Sequence, residues 1–482
     1  MSNVTRREFI EDSLAASGVA AAACVVPGAV GPHSPEPSGY SLPDLQPRDE
    51  PVRVGVIGVR GRGRAHVGAF KKSKDSEVVA ICDADESVIG GAMKAVPNAK
   101  YHRDLRSLIE DPNVDAVTVA TPNHWHSLAT IWALQAGKHV YVEKPLSHNV
   151  FEGRKLVEAS IKNGRFVQHG TQARSHKATI DAIAWMQAGN LGKINVARAL
   201  CYKRRGSIGK VSGPQKTPEK CDYDLWTGPA EMVPLRRRSL HYDWHWDFNT
   251  GNGDLGNQGV HQMDIARWGL GHKGLPDRII SCGGRLGYDD DGNTPNTLVT
   301  CMDYGDQKLI FEVRGLPTPA YKGAKIGVVF HCENGYLVIG SYSKCSAFDN
   351  DGKEIKTFRG GGNHFQNFLD AVQSGKADKL NAGALEGHLS AAACHLGNIP
   401  YRIGTKQTLS KSDTPFGSDD VSNESFARFR QHLAQNKVAL TEGFDLGPML
   451  QFDGKTETFV GENANLGNMF LSRNYRGKYV VS

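Results

Sequence analysis

The chain has 482 residues, 39% of them apolar, and a net charge of +6 spread along its whole length. That is enough for two or more domains with sizeable cores. It excludes a nucleic-acid binder with a basic stripe interleaved with aromatics, and past the N-terminus no apolar run is long enough to cross a bilayer.

The first residues read as a targeting segment. Thr5-Arg6-Arg7-Glu8-Phe9-Ile10 resembles a twin-arginine export motif, and residues 13–26 are alanine-rich and mildly apolar, as an h-region is. Residues 1–30 are therefore expected to be a signal segment and the protein to be exported to the periplasm. Ala21-Ala22-Ala23-Cys24 also resembles a lipoprotein cleavage site, without the usual leucine, which leaves anchoring at Cys24 open. Residues 31–50 form a linker of Pro, Ser and Gly, too poor in apolar side chains to fold. The nine cysteines are scattered and include no C-x-x-C pair, as expected of small buried hydrophobes rather than a disulfide framework.

Val52-Arg53-Val54-Gly55-Val56-Ile57 is a short apolar run closed by glycine, the pattern of a buried parallel strand. Gly58-Val59-Arg60-Gly61-Arg62-Gly63 follows, and residues 65–72 can start a helix. Strand, glycine loop and helix form the context in which a dinucleotide pyrophosphate sits on a helix N-terminus. Gly58 and Gly63 hold the first and third positions of G-x-G-x-x-G. Arg60 occupies the second, and Gly61 supplies the close backbone approach instead. The next strand, residues 77–82, ends in Asp83, 20 residues after Gly63. An acid at that distance can accept hydrogen bonds from the adenosine ribose. Asp83 and Asp85 repel a 2′-phosphate, so NAD is the expected cofactor. Arg60, Arg62 and Arg64 keep NADP open, since one could pair with that phosphate.

Strands and helices then alternate. Residues 87–96, 104–111, 127–136 and 151–163 are expected as helices, and 114–121, 138–142 and 166–169 as strands. This alternation predicts an α/β fold with an N-terminal Rossmann doubly wound parallel sheet over residues 51–173. From residue 194 long alternating runs appear at 194–202, 298–303, 308–313, 326–331 and 336–339. They predict a second α/β domain, residues 174–404, with an open, mainly antiparallel sheet. Helices are expected at 363–374 and 384–396. Residues 405–482 are a C-terminal extension with one clear helix at 424–435.

Four landmarks lie in order: the Gly58–Gly63 loop, Thr121-Pro122-Asn123-His124-Trp125-His126, Glu143-Lys144-Pro145, and Gly256-Asn257-Gln258-Gly259-Val260-His261-Gln262-Met263-Asp264. Glu143-Lys144-Pro145 ends a sheet strand, where ligands bind in parallel sheets, and Lys144 can hold an alkoxide-like oxygen by charge and hydrogen bonding. His261 and Asp264, three apart, share a face if the segment is helical; the alternative for His261 is a satisfied core histidine. Asn123 is a candidate helix N-cap. His241-Tyr242-Asp243-Trp244-His245-Trp246-Asp247 offers aromatic faces and polar groups suited to a sugar. A metal reading of His241 and His245 lacks the H-E-x-x-H pattern, and no metal is expected.

This order resembles the glucose–fructose oxidoreductase and inositol dehydrogenase family (Gfo/Idh/MocA) over roughly residues 52 to 400. The resemblance implies hydride transfer between nicotinamide and a hydroxyl of a sugar, sugar derivative or cyclitol. It implies that Lys144 contacts the reacting hydroxyl, that Glu143 and Pro145 fix the loop with a cis bond before Pro145, and that His261 accepts the proton; Asp264 is then expected as a third catalytic residue, orienting His261 or the substrate. The cofactor would lie on Gly58, Arg60, Gly61, Gly63, Asp83, Thr121, Pro122, Asn123, His126, Glu143 and Lys144. The substrate would lie on Tyr242, Trp244, His245, Asn257 and His261. Many inositol dehydrogenase-like members carry an aspartate where Asn257 stands, so substrate and reaction stay open.

Two rivals follow. One is an NAD-dependent glycoside hydrolase using transient oxidation and elimination, the other a non-catalytic sugar-binding protein. Outside the cytoplasm a tightly bound cofactor, recycled within each turnover, is the expected arrangement. The resemblance also implies a homo-oligomer, a dimer or tetramer, pairing through the C-terminal sheet.

Overall fold

The structure is a computed structural model that describes residues 42–408, 414–439, 441 and 443–482. The expected signal segment, Cys24 and most of the linker lie outside these residues.

Six strands make the first sheet: β1 (Val52–Ile57), β2 (Ser76–Cys82), β3 (Lys100–His102), β4 (Ala116–Val119), β5 (His139–Val142) and β6 (Val167–His169). All pairs are parallel, in the order β3-β2-β1-β4-β5-β6. β4 and β5 are buried at every position, as a sheet covered on both faces requires. The strand order reverses between β1 and β4, and the crevice at their carboxyl ends is where such sheets bind ligands. The Gly58 loop and Thr121 flank that crevice.

The second sheet contains β7 (Ile194–Cys201), β8 (Arg278–Gly284), β9 (Thr297–Tyr304), β10 (Gln307–Arg314), β11 (Ile326–Cys332), β12 (Gly335–Ser341), β13 (Lys344–Phe348), β14 (Glu354–Arg359), β15 (Thr405–Gln407), β16 (Phe444–Leu446), β17 (Leu450–Asp453) and β18 (Thr458–Val460). Its order is β14-β13-β12-β11-β7-β10-β9-β8-β16-β15, with β17 also paired to β8. Every pair is antiparallel except β7 with β10.

Helices Lys177–Trp185, Gly259–Leu270 and Ala384–Ile403 cover one face of this sheet. The third also reaches the first domain, where Ala391 joins the cluster around Val117 and Leu128. The other face is not left free for a second copy across its middle. The Asp420–Gln435 helix lays Phe426, Phe429 and Leu433 on Ile280, Val299 and Ile310. Segment 321–324 packs with Leu200, Val329 and Val338. The C-terminal extension is thus part of the sheet and its cover, through β15 to β17 and this helix. Its last residues return to the first domain, where Tyr479 and Val481 are buried beside Trp125.

The described cysteines are all buried and free. Among the described residues no helix is long and apolar enough to cross a membrane.

Candidate active site

The glycine loop leaves β1 and enters the Arg62–Lys72 helix. Gly58 has φ +81°, and a Cβ there would stand 2.8 Å from the Ala120 carbonyl carbon. A Cβ on Gly63 would stand 1.8 Å from Gly58 O, so only glycine allows the helix to start so close to the strand. A Cβ on Gly61 would meet nothing within 4 Å, which leaves backbone facing open space at the cavity wall. Asp83, after β2, accepts from Val59 N at 3.0 Å and from Asp85 N at 3.1 Å. Burial raises its carboxyl above the usual range, opposed by these hydrogen bonds.

Thr121, Pro122, Asn123 and His126 follow β4 and line the same cavity. Asn123 does not cap a helix: its amide donates to Asn252 Oδ1 at 3.0 Å. The His126 ring spans two loops, with Nδ1 2.5 Å from Pro145 O and Nε2 2.8 Å from Thr121 O. Glu143 ends β5 as a buried anchor for the loop. Arg62 Nε donates to it at 2.7 Å, His66 Nε2 lies at 3.1 Å and Gln172 Nε2 donates at 3.3 Å. Burial alone would raise this carboxyl; the His66 hydrogen bond and the Arg62 charge outweigh it and hold Glu143 well below the usual range. The Lys144–Pro145 peptide is cis.

Lys144 Nζ donates to Asn257 O at 2.8 Å and Asn257 Oδ1 at 3.1 Å. Burial is the largest influence on its ammonium and lowers it; Glu143 opposes, and Arg62 and Lys203 add to the lowering. Asn257 sits between the helices Gly253–Gly256 and Gly259–Leu270. His261 is one turn further along, lining the cavity with its Nδ1 lacking a hydrogen-bond partner. Burial, with the Lys144 charge, brings the His261 imidazole down to about 3. It is therefore neutral at physiological pH, with a lone pair available for a proton.

Asp264 sits apart from this group. It is buried off the cavity, accepts from Arg174 Nε at 2.9 Å and from Ser390 Oγ at 2.8 Å, and makes no bond to His261. The helix is buried nearly all round, so three residues of spacing put the two side chains against different neighbours. Asp264 anchors the helix that carries His261.

The second domain closes the cavity with Tyr242, Trp244 and His245, with His241 from the same aromatic stretch, and with Leu225 and Trp226, which carried no local signal. Trp244 stacks on His245 with ring centroids 3.6 Å apart. His241 Nε2 lies 2.8 Å from Asp85 Oδ2. Asp222 N donates to Ala84 O, and Glu86 N to Lys220 O. The segment is thereby tied to the loop that carries Asp83. The enclosed volume is about 430 Å³. Arg62 and Gln172 also line it; Arg62 lies within the glycine loop, but only the fold shows that it serves Glu143.

The residues present fit a dinucleotide. Thr121 Oγ1 is shielded and has no protein partner. The Gly61 backbone faces the cavity, and Asp83 stands at the end of β2 where a ribose would lie.

Fold and site together define a dinucleotide-binding Rossmann protein whose second domain roofs the cofactor crevice. Residues 52–171 match the model of the oxidoreductase family with an NAD-binding Rossmann fold, and residues 189–282 match the family's C-terminal alpha/beta domain. Both segments thus match models of the Gfo/Idh/MocA family. Glycosyl hydrolase family 109 protein 2 of Shewanella sp. (strain ANA-3) is 35% identical over 173 residues, which are 33% of this chain and 38% of that protein. Myo-inositol 2-dehydrogenase of Thermotoga maritima is 33% identical over 147 residues, 30% of this chain and 44% of that protein. The matched part thus spans less than half of either relative. Among solved structures, the WlbA dehydrogenase from Bordetella pertussis, in complex with NADH and UDP-GlcNAcA, shares the fold. Its TM-score is 0.54 at 19% identity, over 71% of this chain and 94% of that one.

Proposed function

We propose that the protein is an NAD-dependent oxidoreductase acting on a hydroxyl of a sugar, sugar derivative or cyclitol. The observation that carries this reading is that Lys144 and His261 face one cavity with the glycine loop and Asp83. Bound NAD would supply the hydride acceptor. Lys144 would donate to the substrate oxygen in place of its present bonds to Asn257, favouring the alkoxide-like state. His261, neutral, would take the hydroxyl proton. Asn257 would hydrogen-bond the substrate without offering charge. Single-turnover absorbance of reduced nicotinamide with candidate sugars and cyclitols tests this; no reduction of NAD by any of them would remove it.

The glycoside hydrolase reading is supported by the family 109 relatives and by the roof over the crevice. Hydride taken in the first step would return in the last, with elimination of the glycosidic substituent between them and water added before re-reduction. The balance is hydrolysis with no net change in NAD. Release of aglycone without accumulated NADH distinguishes it from the dehydrogenase.

The Arg6-Arg7 pair supports export of the folded protein to the periplasm with its cofactor bound. Replacing both by Lys should leave precursor in the cytoplasm; normal export would remove that assignment. Pairing into a dimer or tetramer would use the polar outer side of β13 and β14, since the Asp420–Gln435 helix covers β8 to β10. Sedimentation of the wild type beside a variant with Glu substituted at Ser346 and Thr357 tests this, because dissociation is expected only in the variant.

A further inference from the structure

A second cavity of about 400 Å³ opens beside the first, and Tyr242 lines both. Its other walls include Arg204, Arg205, Arg238, Ser207 and Trp246. Tyr242 is half exposed and held at φ +71°, a conformation that side chains other than glycine's rarely adopt. Arg205 fixes it there. Its Nη1 donates to the Tyr242 hydroxyl at 2.7 Å, while Nε and Nη2 donate to the two oxygens of buried Asp254 at 2.8 and 2.6 Å. Arg205 also lies over the Trp246 ring, 5.2 Å from its centre. The wall between the two cavities is thus a positioned aromatic rather than a loose surface side chain.

The charge in this second cavity is not balanced from within the protein. Asp254 neutralises Arg205. Asp290, the nearest candidate, is occupied by Arg285, Ser207 and Ile208 N. Among the described residues Arg204 and Arg238 have no ion pair. The Arg238 guanidinium is set against Gly209, where a Cβ would come within 2.9 Å of Arg238 Cζ. Behind it, Arg237 is buried, with Nε and Nη2 unpartnered and Asp247 only at 3.5 Å, which adds to the positive field. The single acid in the cavity wall, Asp243, is raised above the usual carboxylate range by burial, with Arg237 opposing. Arg204 and Arg238, both exposed at the cavity and unpaired, suit an oxyanion, because guanidinium pairs bidentately with such groups; Trp246 is buried behind Arg205 and shapes the wall.

We propose that this cavity is an outer subsite for an oxyanion carried by the substrate, a sulfate or carboxylate on the unit next to the reacting sugar. The proposal rests on the reading that the main cavity takes a sugar, and it names the class: an acidic glycan rather than a neutral one. The diphosphate of a nucleotide sugar presents the same oxyanion chemistry and forms a separate arm of the test.

Titration calorimetry on the NAD-loaded protein would compare a sulfated disaccharide, its desulfated counterpart, a uronate-containing disaccharide and a UDP-sugar. The acidic disaccharides should bind at least tenfold more tightly than the neutral one. That ratio should fall towards one in R204A/R238A, stay partly intact in R204K/R238K, and shrink in the wild type as salt rises. The salt series needs no variant to fold. Equal binding of sulfated and desulfated ligands by the wild type overturns the subsite, as does a ratio that survives R204A/R238A. A preference confined to the UDP-sugar and lost in that variant keeps the oxyanion site but overturns the glycan source. Binding preference without nicotinamide reduction leaves the subsite standing and removes the redox reading.

Discussion

Lys144 Nζ donates to both oxygens of Asn257, 2.8 Å to the backbone carbonyl and 3.1 Å to the side-chain amide. The pair joins the loop after β5 to the helix junction that carries His261, so the proposed oxygen-binding group and the proposed base are set by one contact across the domains. Lys144→Met should lower single-turnover nicotinamide reduction by about 10²–10⁴, and His261→Ala by a similar factor. NAD should remain bound in both, because the glycine loop and Asp83 are untouched. Near-normal turnover in either variant with cofactor present would make that residue structural.

The pH dependence follows from the buried histidines. His124, His245, His261 and His395 are all brought down to about 3 by burial, their largest influence. The unfolded chain binds protons at these positions near pH 6.5, whereas the folded chain does not until near pH 3. Their contribution to stability is therefore complete above about pH 6.5 and is lost as pH falls from there towards 3. Denaturant midpoints should drop steeply between pH 6 and pH 4. The acid limb of kcat/KM should lie below pH 5, since His261 stays neutral there; a limb at 6.5 assigned to His261 would show that the base is not buried as described.

Asp264→Ala should act on stability and not on chemistry. It strips the buried Arg174 of one of two acidic partners and leaves Glu386 at 2.9 Å, so the cost should be below the ~3–5 kcal/mol of a buried charge left wholly unpaired. The urea midpoint should fall clearly, while turnover per folded, NAD-loaded molecule stays within about tenfold of the wild type. A loss as large as that of His261→Ala would return Asp264 to the catalytic group.

Asp83→Ala removes the proposed ribose acceptor and the partner of Val59 N. A hydrogen bond to a charged group contributes about 1.5–3 kcal/mol, so NAD affinity should fall roughly ten- to a hundredfold. NADP affinity should fall less, because the negative charge facing a 2′-phosphate is gone. Unchanged titration curves for both would place the ribose elsewhere.

The parts of this molecule legible in its sequence are the local ones. Glycines at 58, 61 and 63 leave a trace because each meets a backbone limit, and Lys144 because it stands between Glu143 and Pro145 at a strand end. β8, an interior strand of the second sheet between β9 and β16, left no alternation to read because all but its first residue are buried. Asp264 misled because spacing reports the side of a helix and not what stands against it. Leu225 and Trp226 could not be found at all, and His241 was visible only as part of an aromatic stretch, since they reach the cavity from a segment whose place is set by bonds to residues 84–86. The Asp420–Gln435 helix was visible in its periodicity, but the sheet face it covers was not.

The buried position of Tyr479 makes the core of the first domain discontinuous along the chain. Its ring packs against Trp125 and Trp132, with centroids 5.5 and 6.3 Å away, and its hydroxyl donates to Asp224 Oδ2 at 2.8 Å. The six strands of the first sheet end at His169, yet Tyr479 and Val481 join the core cluster packed against them. The packing of that half is therefore completed only when this distant segment docks on Trp125 and Trp132. Chains truncated after residue 470 should be more protease-sensitive across residues 52–169 and hold NAD more weakly than chains that keep Tyr479 and Val481; equal resistance would show that the segment adds nothing to that core.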